Sequence, residues 1–177
     1  RLATMQGFKL PLVFALVVLF SGLAESGGEE YLDAGLHSAP VSGDAAIKNL
    51  KQVGSASLSV FIWQIYESHL YTPTGTFEQI GPGTALKIHY KRDITREQLI
   101  KTTKSEWQKL ALYDPKASDG WLVTLGELWP DIKKSDELLL YVDHNLNSHF
   151  YLNEAFIGTL DDPQFTQRFL AIWLSPD

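Results

Sequence analysis

Residues 161–174 read DDPQFTQRFLAIWL, and the fold turns on how this stretch is read. Asp162 is a strong N-cap, because its carboxylate can accept from an otherwise unpaired N–H of the first helical turn. Pro163 follows at the first helical position, where its missing donor is not needed. Phe165, Phe169, Ile172 and Trp173 then recur at spacings of four, three and one, which makes a single apolar stripe on a helix. A capped helix must therefore lay two Phe, one Ile and one Trp on a core. Trp173 should dominate that burial, and Phe165 should contribute less because first-turn positions fray.

Working back from this helix, three short strands precede it. Glu137 to Asp143 and His149 to Asn153 flank a turn at Asn145-Leu146-Asn147, and Ala155 to Leu160 completes a hairpin. Before them stand two helices. Thr95 opens the first with a capping box, Thr95-x-x-Gln98, and Leu99, Ile100, Trp107, Leu110 and Ala111 form its buried stripe. It should stop near Asp114-Pro115. Ser118 is the expected cap of the second, in which Trp121, Leu122, Leu125, Leu128 and Trp129 repeat on one face before Pro130 ends it.

Further upstream, Ala85 to Arg92 alternates as a half-buried strand, with Leu86, Ile88 and Tyr90 inward and Lys87, His89 and Lys91 outward. Arg92 shares the inward parity. Thr72 to Thr84 is a loop rich in Pro and Gly. It lacks the Gly-Lys-Ser/Thr sequence of a phosphate loop. Gln52 to Tyr71 has apolar groups at both parities. Phe61, Trp63, Ile65 and Tyr71 point one way and Ile62, Gln64, Tyr66 and Leu70 the other. That is a strand pair, or one bent strand, covered on both faces, with Gly54 marking a bulge. The element order predicts an α+β fold, an antiparallel β-sheet with helices packed on one face.

Several of these segments are similar to one family. Asp162-Pro163-x-Phe165 running into FLxIWLSP, Tyr66-x-x-x-Leu70-Tyr71, Leu86-x-Ile88-x-Tyr90-x-Arg92 and WPDIKKSDEL (residues 129–138) occur in the order found there. Together they resemble the chalcone isomerase-like domain of bacterial exported proteins. That domain shares the fold of plant chalcone isomerases and of fatty-acid-binding relatives. The resemblance runs from about Gly54 to Pro176, with Ser135 standing where a glycine is usual. It also says where catalysis would reside. The arginine of the plant enzymes falls near Val53, the threonine near Phe61, the tyrosine near Gln98 or Leu99, and the asparagine near Ser105 or Glu106. None of these residues matches, so no catalytic role carries over. Without a cation and donors, a cyclising phenolate has nothing to stabilise it.

Composition narrows the rest. The 177 residues are 45% hydrophobic, enough for one domain with a substantial core. The 15 basic and 21 acidic residues give a net charge of −6. Residues 1–24 hold only Arg1 and Lys9 of the charged groups. The remainder is therefore more acidic still, a poor match to nucleic acid. There is no cysteine, which excludes disulfides, thiolate metal sites and cysteine nucleophiles.

Met5 reads as the translational start, with residues 1–4 extraneous to it. Lys9, the apolar run from Leu10 to Phe20 and the small residues Ser21 to Ala24 form a signal-peptide pattern with cleavage after Ala24. The run is shorter than the ~20 residues of a spanning helix, so a retained anchor is the lesser reading. Residues 25–49 read as a flexible lead-in with a short helix or turn near Asp44 to Lys48, and residues 50–177 as the domain. The expected location is periplasmic or secreted.

Little catalytic chemistry is visible. His37, His69, His89, His144 and His149 lack metal-ligand spacing. No G-x-S-x-G elbow is present. Asp161 and Asp162 are explained by capping, and Lys101, Lys104 and Lys109 by a solvated helix face. No cofactor signature is found. The reading that remains is an exported, non-catalytic protein that binds a small apolar or amphipathic ligand such as a fatty acid. Arg92 and Tyr90 would anchor its head group, while Trp63, Tyr66 and Trp107 line its tail. The alternatives are an isomerase or intramolecular lyase with a rebuilt site, and a structural or partner-binding envelope protein.

Overall fold

A computed structural model of the chain describes residues 16–17, 39–60 and 63–174. Its centre is one antiparallel sheet whose spatial order follows the sequence. A two-residue strand, β1 (Leu16–Val17), lies at one edge. Six longer strands follow: β2 (Lys51–Val60), β3 (Trp63–Thr72), β4 (Ala85–Tyr90), β5 (Glu137–Val142), β6 (Ser148–Leu152) and β7 (Ala155–Leu160). The helices are α1 (Gly43–Ile47), α2 (Arg96–Lys109), α3 (Pro115–Leu128) and α4 (Pro163–Leu174). The α+β class and the antiparallel sheet are as the sequence predicts. The signal-peptide pattern falls outside the described residues, apart from the two of β1.

The core lies where strand parity puts it. Leu70, Leu86, Ile88, Leu138, Leu140 and Phe150 point from the sheet toward α2, α3 and α4. The other face carries a smaller cluster of Ala85, Leu139 and Tyr151, covered by Ala46 of α1. Tyr151 donates its hydroxyl to the carbonyl of Pro40 at 2.8 Å, and the Gly43 N–H donates to the carbonyl of Glu154 at 3.1 Å. Residues 39–49, read as a flexible lead-in, are thus tied to the sheet through the short helix. Gly43 allows the close approach, since a Cβ there would meet Leu139 at 3.2 Å.

Helix ends account for two differences from the expected pattern. The capping box of α2 is formed, but the helix stops at Lys109 rather than near Asp114. Ala111 takes a φ of +55° and the chain reverses, with the N–H groups of Leu112 and Tyr113 both donating to the carbonyl of Trp107. No glycine marks this turn. Asp114, not Ser118, then caps α3, accepting from Lys116 with Pro115 at the first position. Ser118 sits one turn in, where its hydroxyl accepts from the Asp114 N–H at 3.0 Å.

The cap of α4 forms as read, with Asp162 accepting from the N–H of Gln164 at 2.8 Å. Its apolar stripe does not rank as expected. Phe165 is fully buried, with its ring 5.9 Å from Trp121, 6.2 Å from Trp107, 6.2 Å from Phe150 and 5.4 Å from Phe169. Fraying is opposed at this first turn, because the Asp162 carboxylate that caps it also accepts from the indole N–H of Trp121 at 2.9 Å.

Two irregularities in β2–β3 matter. At Gly54 the register slips, leaving Val53 as an extra residue, which is the bulge the glycine marked. A second slip has Leu58 opposite Tyr66 and Ser59 opposite Gln64, leaving Ile65 as the extra residue. Alternation breaks there, so Ile65 and Tyr66 are both buried while Trp63 is 66% exposed. The reading of residues 52–71 as covered on both faces fails at Trp63 for this reason.

Candidate functional site

Between the sheet and the helices α2 and α4 lies a cavity of about 370 Å³, within the range of small-molecule sites. Four adjacent strands form its floor: Leu58 from β2, Ile65 and Tyr66 from β3, Ile88 and Tyr90 from β4, and Leu138 from β5. Leu99, Thr103 and Glu106 of α2 wall one side, and Phe169, Ile172 and Trp173 of α4 the other. Lys101 and Lys109 stand exposed along the α2 wall. The bulge at Ile65 is what lets two consecutive side chains of β3 reach the same space.

The polar side chains lining the cavity are two phenols, two indoles, the hydroxyls of Thr102, Thr103 and Ser105, and the charged Glu106, Lys101 and Lys109. Tyr66, Trp129 and Trp173 all border it. Their hydroxyl and two indole N–H groups are buried without a hydrogen-bond partner among the described residues. Such a donor costs about 1–3 kcal/mol when left unpaired. Burial, then the neighbouring Tyr90 and Glu106, pushes the Tyr66 pKa far above the ordinary phenol value, and burial alone does the same to Tyr90. Both phenols therefore stay protonated, so they can donate but not act as phenolate bases. The acceptor is Glu106, buried with a 5% exposed side chain and paired with Lys109 at 2.6 Å.

Of the residues read as a ligand site, the structure brings together Tyr66 and Tyr90, whose rings meet edge to face at 6.2 Å. Trp107 lies off the cavity. It is fully buried against Trp121 and Phe165, with its N–H donated to the carbonyl of Arg168. Trp63 and Arg92 are exposed and border a different, open depression with Lys91, Asp93 and Lys134. The parity that aimed Arg92 inward applies only within the strand, and β4 ends at Tyr90.

The sequence reading missed Glu106, Trp129 and Trp173 as cavity polar groups. One signal was present. Leu99, Thr103, Glu106 and Leu110 recur at helical spacing, so Glu106 is a charge set on the buried stripe of α2. The unpaired indoles had no such signal, because a Trp reads the same whether or not its N–H finds a partner.

The positions suggested for catalysis divide. Leu99, Ser105 and Glu106 line the cavity, whereas Gln98 is exposed and its side chain closes the α2 capping box. Val53 is the bulged residue of β2, and residue 61 lies outside the described residues. Among the described residues no arginine lines the cavity. Among the described residues no cluster of three His, Asp or Glu could hold a metal ion. His149 has a structural role: one ring nitrogen meets Thr159 at 2.7 Å and the other meets Asp143 at 3.0 Å.

Comparison with known proteins places this geometry. A family model described as chalcone isomerase-like matches residues 37–177. An uncharacterized protein of Haemophilus influenzae is 26% identical over 133 residues, covering 75% of this chain. The match spans 65% of that relative's length. The crystal structure of a fatty-acid binding protein of Arabidopsis thaliana is similar in fold, with a TM-score of 0.54 and 11% sequence identity. The overlap covers 77% of this chain and 84% of that one.

Proposed function

The chain belongs to the chalcone isomerase-like family, and from that premise we propose that it binds a small apolar or amphipathic molecule, such as one carrying an acyl chain, without transforming it. The observation that carries this reading is the cavity of about 370 Å³ between the sheet, α2 and α4. Its walls are mainly aliphatic and aromatic, which favours an apolar occupant through surface removed from water. The fold shared with a plant fatty-acid binding protein supports it. Among the described residues no guanidinium reaches the cavity, its only cations are the rim lysines, and both of its phenols are held neutral, which gives a developing oxyanion little to stabilise it.

Binding would occur outside the cytoplasm, after removal of residues 1–24 and with them the two-residue edge strand β1. The pattern from Lys9 to Ala24 supports this. N-terminal sequencing of protein recovered from its host tests export, and an intact Met5 start in a soluble cytoplasmic fraction contradicts it.

The test of binding is calorimetric titration with a series of dodecyl-chain compounds, alongside native mass spectrometry of protein purified from its host. Leu99→Trp, which fills the cavity from the α2 side, should weaken binding at least about tenfold while the helical signal is retained. Equal binding by this variant would place the ligand elsewhere.

A further inference from the structure

The polar atoms on the cavity fix what kind of head group it can take, an inference that rests on the binding reading above. Three side chains on the lining carry donors without a partner among the described residues, the Tyr66 hydroxyl and the indole N–H groups of Trp129 and Trp173; each is covered in the ligand-free chain, so a ligand oxygen reaches it by a side-chain shift. The Tyr66 and Trp173 rings meet edge to face at 5.4 Å, so two of these donors sit on neighbouring side chains. The charged groups on the cavity are Glu106, Lys109 and Lys101. Glu106 is buried and takes Lys109 as its partner at 2.6 Å, and Lys101 is exposed at the rim. The lining thus holds covered, unpaired donors beside a carboxylate whose cation is already engaged.

We propose that the natural ligand is a neutral amphiphile whose polar end is a hydroxyl or carbonyl oxygen, and that Glu106 excludes free carboxylic acids. A hydroxyl oxygen can accept from Tyr66 or Trp173 and donate its own proton to Glu106. A carbonyl oxygen can accept from both donors. A carboxylate would bring a second negative charge beside Glu106, and among the described residues the cation not already paired there is Lys101, exposed at the rim. The unpaired donors explain why a polar end enters at all, because a purely apolar ligand would leave them unsatisfied.

The test is calorimetric titration at neutral pH with three chain-matched probes, dodecanol, methyl dodecanoate and dodecanoate. Dodecanol and the ester should bind at least about tenfold more tightly than dodecanoate, since a buried unpaired charge is far more costly than that ratio requires. Glu106→Gln should narrow the ratio by roughly tenfold, by removing the repelling charge and freeing Lys109. Tyr66→Phe should weaken dodecanol by roughly three- to tenfold, the effect of one lost hydrogen bond. Arg92→Gln, outside the cavity, should leave all three affinities at wild-type values. Dodecanoate binding as tightly as dodecanol, or a ratio that Glu106→Gln does not move, overturns the inference and leaves the binding cavity standing. If none of the three probes binds, the cavity reading itself falls.

Discussion

The indole N–H of Trp107 donates to the main-chain carbonyl of Arg168 at 3.0 Å, joining the last turn of α2 to the middle of α4. The Arg168 guanidinium answers from the other side. It donates to the carbonyl of Leu112 at 3.1 Å and lies over the Trp121 ring at 5.3 Å. The two helices that wall the cavity are thereby fixed to each other independently of any ligand. Trp107→Phe should lower stability in urea melts by about 1–3 kcal/mol, through the lost bond and the space left behind. Dodecanol affinity should be about unchanged. A loss of binding larger than the loss of stability would place Trp107 on the ligand's path.

Tyr66→Phe should have opposite effects on folding and on binding. The hydroxyl is buried without a partner among the described residues, while the ring packs on Tyr90 and Trp173. Removing only the oxygen should raise the stability of the ligand-free protein by roughly 1 kcal/mol. Thermal melts with and without dodecanol would check this. A variant less stable than wild type without ligand would mean the hydroxyl has a partner in the folded chain.

Within α4, Phe165→Ala should cost as much as Trp173→Ala or more, roughly 3–5 kcal/mol. Phe165 is fully buried among four aromatic rings, whereas Trp173 is 9% exposed and faces the cavity, where fewer atoms oppose it. Urea melts of the two variants give the ranking. A clearly smaller loss for Phe165→Ala would restore the view that this first turn frays.

Asp143 should contribute to acid sensitivity. Burial pushes its pKa up, but the N–H groups of Asn147 and Asn145, the Asn147 side chain and the His149 ring together pull it below the ordinary 3.8. A carboxyl with a depressed folded-state pKa contributes stability that is present above the ordinary value and lost as pH falls through the folded one. Stability should therefore decline more steeply below about pH 4 in the wild type than in Asp143→Asn. Parallel pH profiles would assign the acid sensitivity to other carboxyls.

Much of this fold was legible because local signals and burial agree. Asp162-Pro163 caps α4 as read, Thr95 and Gln98 close their box, and Leu86, Ile88 and Tyr90 alternate into the core. The failures have physical causes that a pattern cannot carry. Ile65 is a bulge without a glycine, so parity counted across it misplaced Trp63. Ala111 turns the chain in the left-handed region with no residue to announce it, and Ser135 does the same with a φ of +77°. The candidate site was half legible. Tyr90 lies on a strand whose inward parity holds and Tyr66 follows directly on the β3 bulge, but Arg92 lies past the end of β4, and the pairing of buried donors depends on tertiary neighbours.

The most direct test of ligand binding in this cavity is a titration followed through the five tryptophan indole N–H resonances of isotopically labelled protein. Trp129 and Trp173 border the cavity, and their N–H groups have no partner among the described residues. Trp107 and Trp121 have theirs committed to Arg168 and Asp162, and Trp63 lies outside on the open depression. Adding dodecanol should shift the Trp173 and Trp129 indole signals toward hydrogen-bonded positions and leave the other three in place. Shifts confined to Trp63, or no shift of Trp173 at saturating dodecanol, would contradict the account.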